Sequence, residues 1–192
     1  MSATSFKGAP FVSMRELIRA RGPEFEQVFL EKLLPKEKEV YLNALAVTRV
    51  EDDTSSGEKS IFYVAARMLF PEAAKPVREL GKAIANCEIK GVYRIFFRMA
   101  SMEFVLNRVA KIWRQYNDQG VAVIENYKME NRFMTCDFVV RDFPEFSEVR
   151  KEYLAGYFTA LVEYARGKIL AIETPRDYHL KQESRWRVKA QF

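Results

Sequence analysis

Two cysteines and one histidine are the only residues of this chain that suggest a thiol nucleophile or a zinc centre. Cys87 falls near the end of a helical pattern. Cys136 lies mid-strand between Thr135 and Asp137, and His179 lies in the stretch between the last two strand patterns. One histidine and two scattered cysteines do not supply the four ligands of a tetrahedral zinc site. No C-x-x-C occurs, and so low a count excludes a disulfide framework. A Cys–His nucleophile would require Cys136 and His179 to meet through space. The simpler expectation is two buried thiols in a reducing cytoplasm. The acidic run Glu51-Asp52-Asp53 lacks calcium-loop spacing and a distal ligand in register. It reads as a solvated loop through Gly57, with Ser55 and Glu58 spaced as a capping box for the next helix.

Two larger constellations have a possible function. Trp113, Tyr116, Tyr153, Tyr157, Phe158 and Trp186 come together if the long C-terminal helix covers the C-terminal strands. Core packing accounts for an aromatic stripe at helical spacing. The functional reading is a pocket for an apolar or aromatic ligand, oriented by tyrosine hydroxyls. Three tyrosines on one helix are many for packing alone, because buried phenols need partners. The second constellation is basic. Residues 176–192 hold five basic and two acidic side chains, and strand alternation puts Arg185, Arg187 and Lys189 on one face. A nucleic-acid or other anionic surface would meet such a stripe, preferably beside exposed aromatics. Parity sends Trp186 and Phe192 to the opposite face, so a solvated strand face that protects an edge is the plainer account.

The elements that must position these residues are legible. A helix is expected over 146–166, with Phe146, Val149, Tyr153, Tyr157, Ala160, Leu161 and Tyr164 on one face. Asp142, Pro144 and Glu145 are placed to start it, and Gly167 to close it in a left-handed conformation. Gly156 inside the helix costs about 1 kcal/mol relative to alanine, which a close backbone contact would explain. Strands are expected at 121–127 and 133–140, with a turn at Glu130-Asn131, and at 169–174 and 186–192. The resulting β-β-α-β-β order predicts a twisted four-stranded antiparallel sheet with one buried and one wet face.

Upstream the reading is helical. Residues 1–10 form a flexible tail, 13–20 a short helix, and Pro23 and Pro35 open two more. Ile61, Val64, Ala65, Met68 and Leu69 stripe a further helix that Pro71 ends. Val77, Leu80, Gly81 and Ile84 stripe a helix over 76–86, Gly81 implying tight helix–helix approach. Val92, Ile95, Phe96 and Met99 form another piece. Ser101 caps the best-patterned helix, from Met102 to Tyr116. The chain is therefore expected to be α+β and a single domain over 1–192, with helices across 11–117 and the ββαββ part across 120–192. Hydrophobic residues make up 48% and charged residues 30%, which excludes a disordered chain. No apolar run approaches the roughly 20 residues of a membrane span, and the N-terminus has no apolar signal core. A net charge of +5 permits an anionic partner without demanding one.

The order and spacing of several motifs resemble a known family. These are Leu69-Phe70-Pro71, Leu80-Gly81-Lys82, Lys90-Gly91-Val92-Tyr93-Arg94, the helix end Ile112-Trp113-Arg114-Gln115-Tyr116 with Gly120, and finally Gly156, Gly167 and Trp186. From about Leu33 onward the chain resembles a bacterial, myxobacterial-type family of paralogues known as a domain of unknown function. That family is similar in turn to a superfamily of TRAPP vesicle-tethering subunits, vinyl-reductase (4VR) small-molecule-binding domains and domains associated with haem nitric-oxide sensors. The resemblance implies helices packed on a twisted antiparallel sheet, dimerisation through helices, and a hydrophobic pocket between helix and sheet. Haem ligation in those sensors needs an axial histidine and a Tyr-x-Ser-x-Arg motif. This chain has neither the motif nor a histidine on a helix, so no cofactor and no metal are expected. Cys87 stands where one TRAPP subunit suggests an acylated cysteine, but Asn86 and Glu88 match no acylation signature.

Together these readings predict a non-catalytic, cytoplasmic small-molecule-binding, sensory or scaffolding homodimer. A nucleic-acid or anionic-surface binder using Arg185, Arg187 and Lys189 is the alternative.

Overall fold

The computed structural model describes residues 5–51, 60–89, 102–143, 146–174 and 183–192. Its N-terminal elements are β1 (Ser5–Lys7), α1 (Ala9–Arg19), α2 (Pro23–Glu31), α3 (Pro35–Asn43), β2 (Arg49–Glu51), α4 (Ile61–Leu69), α5 (Pro76–Glu88), α6 (Met102–Leu106) and α7 (Val109–Tyr116). Prolines 23, 35 and 76 open their helices, where the missing N–H is no loss. The expected loop at 51–57 with its capping box, the piece around Val92–Met99, the Ser101 cap and His179 lie outside the described residues, apart from Glu51 at the end of β2.

The N-terminal tail expectation is corrected for residues 5–10. Ser5, Phe6 and Lys7 pair antiparallel with Glu51, Val50 and Arg49. The Ser5 hydroxyl donates to Asp118 at 2.6 Å. These partners are far along the chain, so no local pattern announces them. Helix α1 begins at Ala9, with Pro10 in its first turn. The single helix expected over 102–116 is two. It breaks at Asn107-Arg108, where the Arg108 N–H bonds Val105 O at 3.1 Å. The apolar period runs on across the break because Met102, Val105, Leu106, Val109 and Trp113 all enter one core cluster.

Strands β3 (Val121–Glu130) and β4 (Phe133–Arg141), helix α8 (Glu148–Tyr164), and strands β5 (Lys168–Glu173) and β6 (Glu183–Gln191) complete the chain. The sheet order is β3-β4-β6-β5, antiparallel throughout. The β3–β4 turn is Asn131-Arg132, both at positive φ (49° and 69°), the backbone of a two-residue primed hairpin. Strand β3 outruns its expected end because a bulge between Glu125 and Lys128 restores its pairing. Asn126 takes φ 51° there and donates to Asp137 at 2.7 Å.

Helix α8 was expected to bury one face, and it buries two. Val149 and Tyr153 join the helical core, while Ala155, Phe158 and Val162 join the core over the sheet. Its N-cap is Ser147, whose hydroxyl accepts from the Arg150 N–H at 3.2 Å, so the helix starts two residues later than expected. At its other end Arg166, not Gly167, takes the left-handed conformation, with φ 65°. The Gly167 N–H bonds Val162 O at 2.9 Å, closing a Schellman turn. A Cβ at 167 would lie 2.6 Å from the Phe192 ring, which would have to turn aside.

Alternation along β6 holds. Ser184, Trp186, Val188 and Ala190 are buried, and Arg187 and Lys189 are exposed. Trp186 is 1% exposed and donates to Lys151 O at 3.1 Å, which pins the first turn of α8 onto the sheet. Phenylalanine at 186 leaves that carbonyl without its donor and a small void. The expected loss is about 1–3 kcal/mol in urea unfolding. Unchanged stability would show that Trp186 does not pin the helix.

Candidate ligand cavity

Five of the six aromatic residues singled out in the sequence, Trp113, Tyr116, Tyr153, Tyr157 and Phe158, line one cavity of about 100 Å³. It lies between α7, α8 and the sheet, with Phe138 of β4 as its floor and Pro10 at its edge. The sixth, Trp186, stands behind that floor, its ring 5.1 Å from Phe138. The Trp113 indole donates to Gln119 O at 2.9 Å, which fixes the wall contributed by α7.

Polar residues also belong to the wall of this apolar space. Arg150 lines it, is 4% exposed, and donates through Nη2 to Asn117 Oδ1 at 3.1 Å. Asn117, itself a lining residue, donates to Trp113 O at 3.2 Å. The Tyr157 and Tyr116 hydroxyls both donate to Glu88 Oε2, at 2.8 and 3.3 Å. Burial raises the Glu88 carboxyl to about 7, against the lowering effect of those two phenols. Burial and then the Glu88 charge hold the Tyr153 and Tyr157 phenols well above their ordinary value, so both stay protonated.

Sequence reasoning missed Arg150, Asn117 and Glu88, although two of them left a signal. Arg150 shares the helical face of Tyr153 and Tyr157, a cation on an aromatic stripe. Glu88 continues the buried row Val77, Leu80, Gly81 and Ile84. An ionisable residue in a buried stripe is a better pointer than the aromatic count.

The other candidates fall elsewhere. Burial, then the neighbouring Asp137, pushes the Cys136 thiol up to about 12, which removes it as a nucleophile. Among the described residues no group of three or more His, Cys, Asp or Glu is placed to hold a metal, and no helix is long and apolar enough to cross a membrane. Arg185 is held by Asp137 at 2.6 Å and by Glu125 and Glu183 at 2.8 Å each. Arg141 bridges Glu125 and Glu183 in the same lattice. Arg187 and Lys189 remain exposed beside it.

No family model matches the chain, and no curated protein matches it significantly. Solved structures do match. An H-NOX variant of T. tengcongensis aligns at TM-score 0.63 and 13% identity, over 97% of each chain. An oxygen-binding H-NOX domain related to soluble guanylate cyclases aligns at 0.60 and 13%, over 97% of this chain and 94% of that one. The chain has the H-NOX fold. An H-NOX protein of S. oneidensis, in its Fe(II)NO state, agrees at 0.60 and 13%, over 97% and 99%. Of the relatives that the sequence resembles, the H-NOX likeness falls on the haem nitric-oxide branch. No family model supports the vesicle-tethering or vinyl-reductase branches.

Haem does not fit this cavity. Among the described residues the lining contains no histidine, cysteine or methionine to ligate iron. Its phenols are held protonated, which makes them poor ligands. Its volume of about 100 Å³ falls short of the ~300 Å³ at which pockets for drug-sized ligands begin.

Proposed function

We propose that this chain is a non-catalytic small-molecule-binding sensory domain, cytoplasmic and homodimeric, that uses an H-NOX-like fold without haem. The observation that carries the reading is the cavity between α7, α8 and the sheet, apolar over most of its wall, with Arg150, Asn117, Tyr116, Tyr153 and Tyr157 among its lining residues. Concave, mostly apolar sites with a few convergent polar groups are the general form of ligand pockets. The H-NOX likeness supports the reading through two neighbours, one oxygen-binding and one in an NO-ligated state. The homodimer rests on the family resemblance. The anionic-surface alternative is weaker, because acidic side chains already hold Arg185 and only Arg187 and Lys189 of its three cations stand exposed.

Native mass spectrometry of the purified chain tests both parts. The expected species is a dimer carrying a small extra mass that organic extraction removes. A bare dimer would turn the reading toward a scaffold, and a bare monomer would remove the dimer as well.

A further inference from the structure

We infer that the outer face of the sheet holds a site for a small phosphate monoester, bound by Lys128, Thr135, Lys189 and Arg187. It lies on the opposite face of the sheet from the ligand cavity and does not depend on that reading. The site originates in the bulge between Glu125 and Lys128. A regular β3 would set Tyr127 opposite Thr135. The extra residue turns Tyr127 against the core over the sheet and sets Lys128 opposite Thr135 on the wet face. The register shift between Ile169 and Ala171 acts alike in β5. It keeps Ile169 and Ile172 against the core and sets Ala171 opposite Lys189. Lys128, Thr135, Lys189 and Ala171 therefore form one cross-strand row. Its two lysines flank a hydroxyl, about 10 Å apart across two strand spacings.

This row lines a groove of about 390 Å³ that Arg187 and Glu173 also line. Carboxylates of the adjacent row do not neutralise it. Arg185 holds Glu125 at 2.8 Å and Asp137 at 2.6 Å, and Asn126 donates to Asp137 at 2.7 Å. Lys128, Arg187 and Lys189 are exposed, and none enters an ion pair or a side-chain hydrogen bond among the described residues. Three uncommitted cations thus face one uncommitted carboxylate, Glu173. A phosphate monoester, with a charge of about −1.5 to −2 near neutral pH, matches that excess. Lysine meets phosphate as a point charge and arginine as a paired donor. The Ala171 methyl leaves room beside Lys189 for the body of the ester, and Glu173, on the same face, can accept from its hydroxyls. A nucleic-acid strand fits less well, because no aromatic ring lines the groove for a base to stack on.

Isothermal titration of the full chain at low salt with glucose 6-phosphate and with glucose tests the inference. The phosphate should bind below ~1 mM and at least ~10-fold tighter than glucose. Lys128→Gln and Lys189→Gln should each weaken it ~5-fold. Lys111→Gln, at an exposed position of α7, should leave it unchanged. All three positions are exposed, so the variants keep their fold, which circular dichroism checks. Glucose binding as tightly as its phosphate overturns the inference, as does an equal loss in Lys111→Gln. Binding of neither probe below ~10 mM overturns it too. A single-stranded oligonucleotide that displaces glucose 6-phosphate at lower concentration would make the face a nucleic-acid surface instead. None of these results bears on the cavity, which the native mass spectra decide.

Discussion

Gly156→Ala is expected to destabilise the chain by about 3 kcal/mol or more, although the same change inside an isolated helix stabilises by about 1 kcal/mol. The reversal comes from the crossing of α5 and α8. A Cβ at 156 would lie 1.9 Å from Arg78 O, and one at 81 would lie 2.1 Å from Tyr153 O. Both obstacles are backbone, so no side-chain rotation relieves them and the two helices must part. Parting them strains the pairs that flank the crossing, Glu152 with Lys75 and Arg78 at 3.0 and 2.7 Å and Lys82 with Glu163 at 2.7 Å. It also shifts Tyr153 and Tyr157, and with them the cavity wall. Urea unfolding gives the number, and Gly22→Ala serves as the control. Gly22 has φ +103° and nothing within 4 Å of a built Cβ, so only backbone strain, about 1–3 kcal/mol, is expected there. A neutral or stabilising Gly156→Ala would mean that the helices do not cross this closely.

The same glycine shows what the sequence made legible. A glycine in mid-helix at 156 and another at 81 announce a close approach, yet neither names its partner. The β-β-α-β-β order and the antiparallel sheet follow from period-two alternation, turn residues and one long helical stripe, because those signals are local. Three features escaped for the opposite reason. Strand β1 depends on residues around 50 and on Asp118. The break at 107–108 leaves the apolar period intact. The start of α8 is set by Ser147, whose hydroxyl caps the helix and which no periodicity singles out; Pro144 and Glu145, expected to start it, lie outside the described residues. The candidate site divides in the same way. Its aromatic wall was visible as a stripe. Its polar contacts, where Arg150 of α8 meets Asn117 beyond α7 and two phenols meet Glu88 of α5, depend on three segments whose juxtaposition no spacing encodes.

The buried carboxyl makes stability depend on pH in a definite direction. Glu88 titrates near 7 in the folded chain, raised by burial from an ordinary value of 4.5. A carboxyl raised on folding binds its proton more tightly in the folded state. Its contribution is therefore fully present below about pH 4.5, falls as pH rises, and is lost above about pH 7. The shift corresponds to about 3 kcal/mol between those limits. Its physical source is an ill-solvated anion. Oε2 accepts both phenols, while Oε1 is buried with no hydrogen-bond partner among the described residues. Glu88→Gln keeps the shape and removes the charge. Its stability relative to wild type should be near equal at about pH 4.5 and greater by about 3 kcal/mol at about pH 8. Taking the difference between the two proteins cancels the other carboxylates, which titrate in both. Curves that run parallel across this range would show that Glu88 is ionised and well solvated in the folded chain. In that case the charge behind Tyr116 and Tyr157 would be permanent. If the curves diverge as expected, the cavity is backed by a neutral acid at mildly acidic pH and by an anion above neutrality.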